Sequence, residues 1–264
     1  MLAIRARFAL VASTALIAAC SESPSSPKPS SASSVPDVAT LLGEISPSEL
    51  TAATSIASPQ AAAVAALPAF ALANCAYDAG SGFFVCPPLT SHGFTVSREY
   101  RLIDDAGNSQ AAPSIRTVAI ETKTSMQGTL PPEVTGLTIG SPSVTRSEDM
   151  TLSGIQTHQH TLNGAAQSTM VATLTSWQGT EPVQMTYIEA DTTSNLVLPA
   201  AGQRWPQSGT ITSVQSTKTQ FSPAITTRIQ VTFNGTSTVT IATTNGPVTV
   251  TCKLDLLSFL RTCS

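Results

Sequence analysis

From Cys75 onward, apolar and polar residues alternate with a period of two, so one face of each run is set apart for burial. Phe94, Val96, Tyr100 and Leu102 alternate with Thr95, Ser97, Glu99 and Arg101, and only Arg98 breaks the apolar parity. This run predicts a strand that ends in the turn cluster Asp104-Asp105-Ala106-Gly107-Asn108. Further strands are predicted over Thr117–Ser125, Met150–Leu162, Gln167–Trp177, Val183–Ala190 and Thr210–Gln220, with Asn163-Gly164 as a hairpin turn.

The C-terminal stretch carries the clearest pattern. Ile229, Val231 and Phe233 form one apolar row, Val239 and Ile241 a second, and Val248, Val250, Cys252, Leu254 and Leu256 a third. Asn234-Gly235 and Asn245-Gly246 separate them, which predicts a three-stranded antiparallel meander with one buried face. A two-residue loop at Asn245-Gly246 would set Ile241 opposite Val250 and Val239 opposite Cys252, apolar on apolar. Pro247 cannot donate a closing hydrogen bond, so the loop opens to four residues in the same register if that bond is lost. The same loop at Asn234-Gly235 would mix the faces. An odd-length loop or a bulge is therefore expected there, with Gly235 left-handed.

Before Cys75 the pattern changes. Val38, Leu41, Leu42 and Ile45 fall at helical spacing, and Ser46-Pro47-Ser48-Glu49 and Ser58-Pro59 read as helix starts. Residues 35–74 are expected to form short helices packed on the β domain, or to be partly disordered. Ser21 to Ser34 is almost wholly Ser and Pro and reads as a disordered tether. The expected class is all-β, an antiparallel sheet or sandwich of meandering hairpins spanning 75–264, preceded by the tether and short helices.

The first nineteen residues have the layout of an export signal. Arg5 and Arg7 precede an apolar stretch from Phe8 to Ile17, too short for a bilayer span of about 20 residues. It ends in Ile17-Ala18-Ala19-Cys20. This tetrapeptide resembles the lipobox of bacterial lipoproteins. The resemblance implies removal of residues 1–19 and acylation of Cys20, palmitate included, which would tether the chain to a membrane of the cell envelope. Ser21 follows Cys20 with no aspartate at that position, for which the resemblance implies outer-membrane sorting. The region after the tether is also similar to uncharacterised envelope lipoproteins, a likeness that implies no activity.

Setting Cys20 aside leaves Cys75, Cys86, Cys252 and Cys263, an even set that suits an oxidising compartment. Three connectivities exist. Each sequential pair brackets a plausible turn, Asp78 to Gly82 in one and Leu257-Ser258 in the other, so two local bridges are expected. Each would contribute about 3 kcal/mol by the chain-entropy treatment. Charge bears on partners: loss of Arg5 and Arg7 takes 13 cations to 11 against 16 acids. Such a chain has no basic stripe for phosphates, which argues against nucleic acid.

Candidate chemistry is sparse. G-x-S-x-G, H-E-x-x-H, phosphate-loop and dinucleotide motifs are all missing from the sequence. His158-Gln159-His160 would place two imidazoles on one strand face, with His92 as the third histidine in the chain, but a solvated hairpin is the better reading of them. No metal or other cofactor is expected. Asp104-Asp105 lacks the alternating oxygen ligands of a calcium loop. Glu148-Asp149 and Glu189/Asp191 are expected near strand ends, and Trp177 and Trp205 beside turns. The expected role is a lipid-anchored structural or binding module that meets an envelope protein. The alternative is a carrier of a hydrophobic ligand, similar in architecture to the open barrels of bacterial lipoprotein carriers, and a metal-dependent enzyme comes last. A carrier would need a concave apolar pocket of several hundred cubic ångströms.

Overall fold

The computed structural model describes residues 74–264 apart from 92, 131–140, 158, 175–180 and 201–202. Cys20, the tether and nearly all of the expected helical region lie outside the described residues, as do His92, His158 and Trp177.

The described residues form one antiparallel sheet without an α-helix. Its strands are β1 (Ala76–Asp78), β2 (Phe83–Val85), β3 (Leu89–Ser91), β4 (Phe94–Asp104), β5 (Ser109–Gln110), β6 (Thr117–Thr129) and β7 (Ser143–Ser153). They continue as β8 (Thr161–Leu174), β9 (Val183–Val197), β10 (Ser208–Thr219), β11 (Ser222–Phe233), β12 (Thr238–Asn245), β13 (Val248–Asp255) and β14 (Arg261–Cys263). The spatial order is β1-β2-β4-β6-β7-β8-β9-β10-β11-β12-β13-β14, with β3 and β5 as short side branches on β4. It is a meander, as the period-two pattern and short turns predict.

The parity that alternation sets in β4 carries across the whole sheet by register. Leu102 faces Ile120, Ile120 faces Leu152, Leu152 faces Leu162 and Leu162 faces Leu196. These five side chains are almost completely buried and form the centre of a cluster that continues through Ile211 and Val231 to Leu254. A second, smaller cluster occupies the other end of the same face: Phe94, Val96, Met126, Leu130, Val144 and Met170, with Met185 and Tyr187 against it. Hydrophobic burial in two separate blocks holds the sheet.

Several turns differ from the sequence reading. Asn163-Gly164 does not turn the chain; both residues lie inside β8. A Cβ on Gly164 would stand 2.2 Å from the Asp149 carbonyl oxygen, so glycine serves close strand contact here. The real connection is residues 154–160, which interrupts the expected Met150–Leu162 strand. Gly154 takes φ +80°, and the Thr157 hydroxyl donates to its carbonyl at 2.7 Å.

At the β12–β13 hairpin Asn245 stays in the ladder opposite Val248, so the loop is Gly246-Pro247. The expected pairs shift by two residues: Ile241 faces Cys252 and Val239 faces Leu254. Both registers keep apolar on apolar. Gly246 supplies the positive φ and Pro247 the fixed negative one, the sign pattern of a type II′ turn. At the β11–β12 turn the odd-length loop is borne out. Val231 faces Ile241, and Gly235 has φ +82°.

Candidate functional site

Two adjacent rows of the inner face separate the apolar clusters, and these rows are polar. Across the ladder, the first runs Arg98, Thr124, Glu148, Ala166, Asp191 and Ser213. Beside it, Arg146, Ser168, Glu189 and Gln215 stand in register on β7, β8, β9 and β10. The parity break at Arg98 is therefore the start of a belt of two cations and three acids, set between hydrophobic layers. Glu148, Glu189 and Asp191 lie mid-strand, not near strand ends as the sequence reading placed them. Its signal in the sequence was that one charged residue at an apolar parity position; the acids could not be assigned a face until the register was known.

Local contacts hold the belt together. Arg146 Nη2 lies 3.5 Å from Glu148 Oε2, and its Nη1 lies 3.5 Å from Asp191 Oδ2. Glu189 Oε1 accepts from the Ser213 hydroxyl at 3.1 Å and from Gln215 Nε2 at 3.0 Å. Burial pushes the Asp191 carboxyl up, and the charge of Glu189 adds to the rise. The Ser213 hydroxyl and Arg146 oppose it. Burial lowers the Arg98 guanidinium from its ordinary range, while Glu148 acts the other way. Such a network stabilises only while its partners remain complete.

Over the belt, on the opposite face, runs a groove of about 790 Å³. Its walls are two outward rows, Ser97-Ser125-Ser147-Gln167-Ala190 and Glu99-Lys123-Asp149-Ala165-Thr192. The inward neighbours Tyr100, Met126 and Met150 do not line it, which places the groove on the outer face with the Arg98 row as its floor. Small hydroxyl and methyl side chains give it a shallow bed whose accessible surface is mostly apolar, with Glu99, Lys123 and Asp149 in its walls.

The four cysteines pair as expected, Cys75 with Cys86 and Cys252 with Cys263. His160 sits in the turn before β8, not on a strand, and its carbonyl accepts from the Leu198 N–H at 2.9 Å. Among the described residues no group of three His, Cys, Asp or Glu side chains could hold a metal ion. Asp104 closes its turn by accepting from Ala106 N–H at 3.0 Å and Asn108 N–H at 2.7 Å, which lowers its pKa. Trp205 is partly buried, with the Arg204 guanidinium 5.0 Å from its ring centroid. No protein-family model, curated protein or solved structure matches this chain.

Proposed function

We propose that the protein is a lipid-anchored envelope module, tethered through Cys20, whose β domain binds or braces a partner and carries no reaction of its own. The carrying observation is the order Arg5/Arg7, apolar stretch, lipobox and Ser/Pro tether ahead of a disulfide-bonded sheet. Disulfide use supports an oxidising compartment outside the cytosol. Partner contact is assigned to the outer groove, because it is an open concavity on the face turned away from the core. The carrier reading has less support: the accessible lining of the groove is mostly apolar, but the groove is open to solvent and Glu99, Lys123 and Asp149 stand in its walls, whereas a hydrophobic ligand needs an enclosing pocket.

Cys20→Ser tests the anchor. Cells grown with radiolabelled palmitate should label the parent chain and not the variant, and the variant should leave the detergent-extracted membrane fraction. Equal labelling of both chains would overturn the reading.

A further inference from the structure

The turn between β13 and β14 presents three large apolar side chains to solvent: Leu257, Phe259 and Leu260 are 57%, 66% and 72% exposed. They do not hang on a slack loop. The Asp255 carboxylate accepts from Leu257 N–H at 2.9 Å and from Ser258 N–H at 2.8 Å, and also from the hydroxyls of Ser258 and Ser237, each at 3.1 Å. Phe259 N–H donates to the Asp255 carbonyl at 2.8 Å, and Cys252–Cys263 closes the hairpin below. Phe259 takes φ +54°, a left-handed conformation that bulky residues avoid. The chain thus accepts backbone cost to hold apolar groups outward.

The charges around this tip point to the occupant. Lys253 and Arg261 are both exposed and fall at adjacent ladder positions, so their side chains leave opposite faces of the hairpin and bracket the apolar tip. The acid of the turn, Asp255, has its oxygens turned into the loop. Hydrogen bonds tie this turn to two neighbours at the same end of the sheet. Leu256 N–H donates to the Ser237 carbonyl at 2.8 Å, and Gly235 N–H donates to the Pro206 carbonyl at 2.9 Å, beside the Arg204–Trp205 pair. Apolar tip, flanking cations and a Trp–Arg pair form a surface suited to the water–lipid boundary, where aromatic rings and basic side chains meet headgroups.

We infer that the β13–β14 tip docks the domain on an anionic phospholipid surface, inserting Leu257, Phe259 and Leu260 among the headgroups while Lys253 and Arg261 meet phosphate. This rests on the anchor reading for its location, since acylation at Cys20 would hold the domain near a bilayer. The 54 residues between Cys20 and Cys75 span at most roughly 180–200 Å when extended, so the tether permits either face to turn toward the lipid.

The test uses the full acylated chain carrying Phe259→Trp, reconstituted on vesicles of phosphatidylethanolamine and phosphatidylglycerol that contain lipids brominated high on the acyl chain. Fluorescence is read as the difference from the parent chain. The expected result is a blue shift with bromine quenching, lessened by salt or by Lys253→Gln with Arg261→Gln. Adding Leu257→Ser and Leu260→Ser should cut the docked-to-undocked ratio roughly tenfold or more. Protein that floats with the vesicles without quenching leaves the anchor intact and overturns the docking. Protein that is not acylated yet is quenched when vesicles are added overturns the anchor and supports the docking. A blue shift without vesicles that grows with protein concentration, and no quenching, assigns the tip to a second copy of the chain and overturns the inference.

Discussion

At Arg98 the β4 pattern places a guanidinium between Val96 and Tyr100 on the inward face, and the register supplies the reason in Glu148 and the acids beyond it. Single carboxylates in this molecule titrate in opposite senses. Asp255 is held below its ordinary value of 3.8 by the turn's hydrogen bonds, so it stabilises the fold above that value and the contribution is lost as pH falls through its lowered pKa. Asp191 is raised above 3.8, so its ionised form costs stability at neutral pH and the cost is relieved on acidification. Chemical denaturation at pH 7 and near pH 2 should therefore move the two variants apart. Asp255→Ala should lose most at pH 7, and Asp191→Asn should compare worst with the parent near pH 2. The turn acids Asp104 and Asp255 sit in recognisable turn clusters, whereas Asp191 is one polar residue in a Thr-rich strand whose inward face only pairing reveals.

Among elements, β9 has the most to say about strain. It carries one extra residue relative to both neighbours: two steps from Leu162 to Gly164 on β8, and two from Ser208 to Thr210 on β10, each match three on β9. Asn195 absorbs it with φ +48°, and its N–H is met by the Asn163 side-chain oxygen at 2.7 Å. Asn163 was legible as a turn residue and is in fact a bulge partner. The bulge flips the inward parity of β9 from Thr193 to Leu196, so that the same strand serves both the belt and the core. Gly209 makes room for it, since a Cβ there would lie 2.4 Å from the Asn195 carbonyl oxygen and its φ is +108°. Gly209→Ala should cost about 3 kcal/mol in urea denaturation, while Asn195→Gly should be close to neutral. Unchanged stability of the alanine variant would mean that the β9–β10 contact yields easily. Strand existence followed from alternation and turn parity. Strand length did not: β9 and β11 run on through Thr- and Ser-rich segments, whose side chains suit a strand and leave no apolar mark.

On the scale of the whole molecule, the sheet is a sequence of near-neighbour hairpins, and its first and last pairs are each covalently closed. Cys75–Cys86 joins β1 to β2, and Cys252–Cys263 joins β13 to β14. The two bridges were readable because each cysteine pair brackets turn chemistry. The interior belt was not, since it depends on six strands being aligned at once. Replacing Cys252 and Cys263 together with serine should lower stability by about 3 kcal/mol, read as a shift in the urea midpoint. Loss much smaller than this would mean that the β12–β13 ladder and Leu254 already hold that margin.

Those two cross-links also govern what the sheet can do to its neighbours. Any open antiparallel sheet offers a free row of amides at each border, and crowded copies can zip together there. Here each outermost strand has only three residues, and its disulfide cinches it to the strand it covers, β2 at one border and the Cys252–Leu254 part of β13 at the other. Keeping the thiols oxidised would then be a safeguard of solubility as much as of folding energy, and a reducing milieu should turn a dispersed population into one that polymerises edge to edge.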